Sequence, residues 1–132
     1  MDMRIELVMV PVTDIDRARD FYASLGWNVD HDQEVDESTR FVQITPPGSA
    51  CSIAFGKGIA DTEPGSLRGI QLVIKDADAA LALLKEKHAD VDDAVAELAW
   101  GRFVTFRDPD GNQYTLQQLP EWSQGAANAP KD

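Results

Sequence analysis

Val10-Pro11-Val12-Thr13-Asp14-Ile15-Asp16 lies over Leu72-Val73-Ile74-Lys75-Asp76-Ala77-Asp78 when the chain is slid along itself by 62 residues. At the same shift Arg40-Phe41-Val42 lies over Arg102-Phe103-Val104, and Pro47 over Pro109. Separate matches at one offset mark an internal repeat. Around the quoted stretch the pattern is plain. Glu6 to Val12 alternates about Val8, Val10 and Val12, as a half-buried strand does. Thr13 or Asp14 then offers a side-chain oxygen to the free amides of a new helix. On that helix Ala18, Phe21, Tyr22 and Leu25 form one apolar face, and Gly26 supplies a left-handed stop. In the second copy Ile70, Leu72 and Ile74 form the strand and Asp76 caps. Ala80, Leu83, Leu84 and Lys87 follow, with His88 standing where the first copy has Gly26.

Three short strands are expected after each helix. In the first copy they are Trp27–Asp30, Thr39–Thr45 and Cys51–Phe55; in the second they lie near Val91–Val95, Arg102–Phe106 and Gln113–Leu119. Asp108-Pro109-Asp110-Gly111-Asn112 is hairpin-turn chemistry, because proline presets φ and glycine accepts a positive one. The acidic run from Asp30 to Glu37 reads as a solvated loop. The organisation expected is a first βαβββ module at 1–55, a linker at 56–68, a second module at 69–122 and a flexible tail at 123–132. The fold class is α+β.

The chain has 132 residues, 43% of them apolar, enough for an ordinary core. Against 12 lysines and arginines stand 23 acidic residues, a net charge of −11. Such a field repels phosphate backbones and anionic lipid, so neither nucleic acid nor a membrane surface is an expected partner. Cys51 is the one cysteine, so no intramolecular disulfide and no cysteine-rich metal site is expected. MDMRIELVMVPV has no signal-peptide pattern and no apolar run approaches the ~20 residues of a membrane span, so the expected setting is cytoplasmic.

The duplicated βαβββ unit, with the phrases VPVTDIDRARDFYASLGW and DPDGNQYTL, resembles the vicinal-oxygen-chelate (glyoxalase, bleomycin-resistance protein and extradiol dioxygenase) superfamily over roughly residues 3–119. The resemblance implies two tandem modules forming a cupped mixed sheet of eight strands with helices outside, and a homodimer. It also implies a divalent ion held by His, Glu or Gln from the first and last strands of each unit. Carried onto this chain, the first-strand positions are Leu7 and Gly69. The last-strand positions are Thr115 and Ala54, or Ile53 if the alignment slips by one. Leucine, glycine and alanine carry no donor atom, and one threonine hydroxyl binds a divalent ion poorly. His31, at the end of strand two, and His88, at a helix C-terminus, read as structural. No metal and no cofactor is therefore expected.

If the valines and isoleucines of the strands face the helices, their neighbours face a cavity. That lining is Leu7, Met9, Phe41, Gln43, Ser52, Ala54, Gln71, Phe103, Thr105, Thr115 and Gln117, with Trp100 at the mouth or over a dimer seam. It is apolar and aromatic with a few amides and hydroxyls, the composition of a small-molecule pocket or of a filled core. It holds no paired carboxylates, no His–carboxylate couple and no nucleophile, so no catalytic residue is assigned. Arg40 and Arg102, at equivalent places, read as structural partners of acidic neighbours.

Three functions compete. The favoured one is a metal-free protein that binds a small organic ligand, sequestering a cationic or aromatic compound such as an antibiotic. The second is a metal-dependent lyase, isomerase or dioxygenase of the same superfamily. The third is a non-catalytic structural or regulatory module.

Overall fold

Each copy of the repeat folds as a strand, a capped helix and a sheet that the helix covers on one face. The computed structural model describes residues Met1–Ser123. Positions 124–132, most of the expected tail, lie outside the described residues. The chain divides into two compact units: Met1–Arg68 with Asp108–Asn112, and Gly69–Arg107 with the residues from Gln113 onward.

The first unit holds β1 (Leu7–Met9), α1 (Ile15–Ser24), β2 (Asn28–Asp36), β3 (Thr39–Thr45) and β4 (Ser52–Lys57), in the sheet order β1-β4-β3-β2. Only the β1–β4 pair is parallel. Asp14 caps α1 by accepting from the Arg17 amide at 3.0 Å. Ala18 and Tyr22 are the buried residues of α1, and Val42, Ile44, Ile53 and Phe55 are buried on the sheet. The Tyr22 and Phe55 ring centres lie 5.9 Å apart. Tyr22 stacks on Trp27, their centroids 5.1 Å apart.

The second unit holds β5 (Ile70–Ile74), α2 (Ala77–Glu86), β6 (Asp90–Val91), β7 (Ala96–Leu98), β8 (Gly101–Arg107) and β9 (Gln113–Gln118). Its order is β5-β9-β8-β6, with β7 also on β8. Asp76 caps α2 on the Ala79 amide at 3.1 Å. Leu84 and Ala77 are buried, as are Val104, Phe106, Tyr114 and Leu116 on the sheet. The architecture is α+β with two mixed sheets, as expected from the repeat.

Several element boundaries differ from the sequence reading, among them β4, which runs on to Lys57 into the expected linker, and α1, which ends at Ser24 with Leu25 its C-cap. The first strand stops at Met9, because Pro11 has no amide to continue a ladder. The acidic run is mostly strand: β2 extends to Asp36 and pairs with β3 along its length, with two irregularities in register. It is an edge strand, where charged side chains remain solvated and discourage pairing with another chain. His31 accordingly lies inside β2 and not at its end. The strand expected near Val91–Val95 is broken in two. There the Asp92 carboxylate accepts from the Thr105 amide at 2.9 Å while the Asp92 amide donates to the Thr105 carbonyl at 3.0 Å. That side chain takes a place in the ladder and the strand resumes only at Ala96. Lastly, α2 ends at Glu86, with Lys87 its C-cap.

Both repeated arginines clamp the first turn of their unit's helix. Arg40 donates to Asp16 at 2.9 Å and Arg102 to Asp78 at 2.9 Å, pairs that are themselves 62 residues apart. Arg40 also holds Asp32 (2.9 Å), and Arg102 holds Glu97 (2.6 Å). These contacts make both arginines structural.

Candidate functional site

With the helices on one face of each sheet, the other face is where a ligand can be met. In the first unit cross-strand register puts Leu7 beside Ser52, Met9 beside Ala54, and Ala54 beside Gln43. Phe41 pairs with Gly56, whose position a side chain could not share, since a Cβ there would come 1.9 Å from the Arg40 carbonyl oxygen. Leu7, Met9, Phe41 and Gln43 are half-buried, whereas Ser52 is 5% and Ala54 0% exposed. Thr45, Asn28, His31 and Gln33 share this face by register.

A hydrogen-bond relay crosses that face. The Thr45 hydroxyl donates to Asp30, and its only proton is then spent, so the Ser52 hydroxyl donates to Thr45 at 2.6 Å. Asn28 donates its side-chain amide to Asp30 at 2.7 Å. The Thr45 hydroxyl first, and Asn28 next, hold the Asp30 carboxyl below the usual aspartate range. Asp30 is absent from the expected lining because the register shift between Val29 and His31 breaks the alternation by which faces are assigned. Thr45 was within reach of that alternation, two residues beyond Gln43 on β3.

The second unit's face is more open. Gln71 lies beside Thr115, Val73 beside Gln117, Thr105 beside Thr115, and Phe103 beside Gln117. Val73 is 62% exposed and Gln71 is also exposed. Phe103, Thr105 and Thr115 are half-buried, and Gln117 is buried. Gln71 donates from Nε2 to Gln117 Oε1 at 2.5 Å, and Gln117 donates from Nε2 to the Trp100 carbonyl at 2.9 Å. Trp100 itself sits in the turn between β7 and β8 with its side chain largely exposed. The two threonine hydroxyls are 3.2 Å apart.

The fold implies a divalent ion at the first- and last-strand positions, and the donors present do not fit one. Register makes Ala54, on β4, the counterpart of Thr115 on β9, since Ala54 pairs with Met9 and Gln43 as Thr115 pairs with Gln71 and Thr105. Leu7, Ala54 and Gly69 bring no side-chain donor, and the Thr115 hydroxyl is engaged with Thr105. Among the described residues no group of three or more His, Cys, Asp or Glu side chains gathers. Cys51 lies just before β4 and donates its thiol to the Ser52 carbonyl at 3.6 Å. Among the described residues no helix is long and apolar enough to cross a membrane.

A doubled βαβββ unit with a helix on one face of each sheet defines the class of fold. The chain belongs to the Glyoxalase/Bleomycin resistance protein/Dioxygenase superfamily, whose family model matches residues 4–116. It is similar to TnmS3, an antibiotic binding protein from Streptomyces sp. CB03234, with 36% identity and a TM-score of 0.81 over 90% of this chain and 98% of that one. A glyoxalase/bleomycin resistance protein from the same Streptomyces is 37% identical, with a TM-score of 0.76 over 87% of this chain and 100% of the other. A superfamily member from Sphaerobacter thermophilus DSM 20745 is 31% identical, with a TM-score of 0.78 over 89% of this chain and 98% of that chain. Comparison with the curated proteins gives no match.

Proposed function

We propose that this protein binds a small organic molecule without a metal, and that it sequesters its ligand and does not transform it. The observation that carries this reading is the donor set at Leu7, Ala54, Gly69 and Thr115, which offers no divalent ion its ligands. The 36% identity to an antibiotic-binding protein supports it, as do the exposed Gln71 and Val73 on a sheet face lined by aromatic, amide and hydroxyl groups. Asp30, kept ionised by Thr45 and Asn28, and the net charge of −11 favour a cationic ligand. An aromatic body suits Phe41 and Phe103, which lie at equivalent places in the two copies. The protein acts as a homodimer in the cytoplasm on this reading.

A thermal-shift screen with a broad set of antibiotics and metabolites tests it. Aromatic cations are expected to raise the melting temperature on the order of 10 °C at a hundredfold excess over Kd, because they bind the native state alone. Silence across the panel would overturn the binding role. Elemental analysis after mild loading with Ni, Zn, Fe and Mn is expected to find no stoichiometric metal; one tightly held ion per chain would return the protein to the metal-dependent enzymes.

A further inference from the structure

We propose that Gln71 is the hydrogen-bonding anchor of the second unit's open face, and that it holds a flat aromatic molecule through an N–H or O–H donor on that molecule. This rests on the binding role proposed above and names the chemistry of its ligand.

The argument starts at a backbone carbonyl. The Trp100 oxygen can only accept, so Gln117 must turn its Nε2 towards it, at 2.9 Å. Gln117 Oε1 is thereby aimed at Gln71, which must present its own Nε2, at 2.5 Å. The flip of both amides follows from that one fixed acceptor. Gln71 Oε1 is then left as an acceptor with no protein partner among the described residues, on an exposed strand position. Gly101 allows the relay to form: its φ is +148°, and a Cβ there would lie 3.2 Å from Gln117 Nε2 and 2.7 Å from the Gln118 carbonyl oxygen.

Beside Gln71 on this face lies Thr115, and apolar side chains share the face with them. Val73 and Leu98 are 62% and 48% exposed, and Phe103 is half-buried on the same face by register. An aromatic body covering these side chains removes water from Gln71 Oε1 as well. A ligand with a donor there replaces the lost water, whereas one without leaves a desolvated acceptor unpaired. Gln71 is therefore a specificity-determining residue, and Gln117 a positioning residue that acts through it.

The test compares phenanthridinone, a planar lactam with an N–H, with N-methylphenanthridinone, which lacks it, by fluorescence titration of the full chain. The wild-type protein is expected to prefer the N–H compound about tenfold. Gln71→Leu should abolish the preference, weakening the N–H compound and relieving the N-methyl compound of an unpaired acceptor. Loss of the donor to the buried Gln117 Oε1 should lower the melting temperature by only about a few degrees and leave the protein folded. Gln117→Leu, which lets the Gln71 amide turn, should cut the preference to a few-fold. Equal binding of the two compounds by the wild-type protein, or a preference that survives Gln71→Leu, would overturn the anchor and leave the binding role standing. If neither compound binds, the anchor fails, and the antibiotic panel decides the binding role separately. A changed sedimentation coefficient in Gln71→Leu with no effect on either compound would assign this face to a second copy of the chain and overturn the proposal.

Discussion

Both units carry a hydrogen-bond relay across the helix-free face of the sheet, but the two relays end on opposite kinds of group. In the first unit Ser52 and Thr45 pass donors to the Asp30 carboxylate. In the second, Gln71 and Gln117 pass donors to the Trp100 carbonyl. One face is therefore anionic at its polar end, with Ser52 and Ala54 buried, and the other is neutral, with Gln71 and Val73 exposed. The helix-covered faces have diverged far less. Each has an aspartate cap, a buried alanine on the helix, and an arginine clamped to the residue two beyond the cap. Packing constrains the covered side of a duplicated unit, whereas the other side is at liberty to become a site.

The largest asymmetry between the units is at their hairpin turns. The Pro46–Ser49 turn is closed by its own Ser49 amide on the Pro46 carbonyl. The Asp108–Asn112 turn instead belongs with the first unit. Asp108 is 3% exposed, and its carboxylate accepts from the Asp110 and Asn112 amides, the Asn112 side chain and the Tyr22 hydroxyl. Asn112 also donates to the Pro11 carbonyl and accepts from the Leu67 amide. Asp108→Ala strands these buried donors and is expected to destabilise by on the order of 3 kcal/mol in urea titration. Tyr22→Phe removes one of the donors and should cost about 1–2 kcal/mol. Pro47→Ala in the other turn should stay within about 0.5 kcal/mol. Equal effects at Asp108 and Pro47 would show that the two turns are equivalent after all.

The arginine clamps sharpen the comparison next. Arg40 is the more enclosed, its side chain 16% exposed against 30% for Arg102. It shares Asp32 with Arg19, whose guanidinium lies 2.7 Å from that carboxylate. Arg40→Ala is expected to cost about 1–2 kcal/mol, and Arg102→Ala distinctly less. The Arg40 and then the Arg19 hydrogen bonds hold the Asp32 carboxyl below its ordinary value. A carboxylate lowered on folding adds stability that is fully present above the unfolded-state value of about 4 and is lost as pH falls through the lower folded value. The Arg40 contribution should therefore vanish on acidification below about pH 4, and Asp32→Asn should flatten that acid limb. An acid limb unchanged in Asp32→Asn would remove Asp32 from this account.

How far all this could be read from residues alone depends on whether a feature is local and repeated. The aspartate caps, the first helix's buried face and the equivalence of Arg40 and Arg102 follow from one offset and from short-range chemistry, and the structure has them, with Asp14 and not Thr13 as the first cap. On the second helix Leu84 is buried but Leu83 and Lys87 are exposed, and Ala77 is buried instead. The extent of β2 is hidden in the sequence because a run of charges resembles a loop, while an edge strand tolerates charge on both faces. The bulge that turns Asp30 onto the helix-free face and the aspartate that divides β6 from β7 are breaks in period, and alternation cannot anticipate its own failure. The Asp108–Asn112 turn was legible as a turn, because proline and glycine encode local geometry. Its partners Pro11, Tyr22 and Leu67 are distant in sequence, and nothing in the turn names them.

The smallest expected effect falls where the two copies agree in backbone and differ in residue. Gly26 has φ +88° and His88, 62 positions on, has φ +58°; His88 is the one non-glycine residue with positive φ among those described. Both follow a helix C-cap, Leu25 and Lys87, in the left-handed conformation that ends a helix. A side chain there is disfavoured by roughly 1 kcal/mol, since its Cβ crowds the backbone, and glycine has no such penalty. His88 is exposed, so little packing is lost on its removal. His88→Gly is therefore expected to stabilise by about 0.5–1 kcal/mol in urea titration. Gly26→His, with no atom within 4 Å of the added Cβ, should show the opposite sign and a similar size. If His88→Gly destabilises, the histidine makes a contribution that backbone equivalence between the copies does not explain.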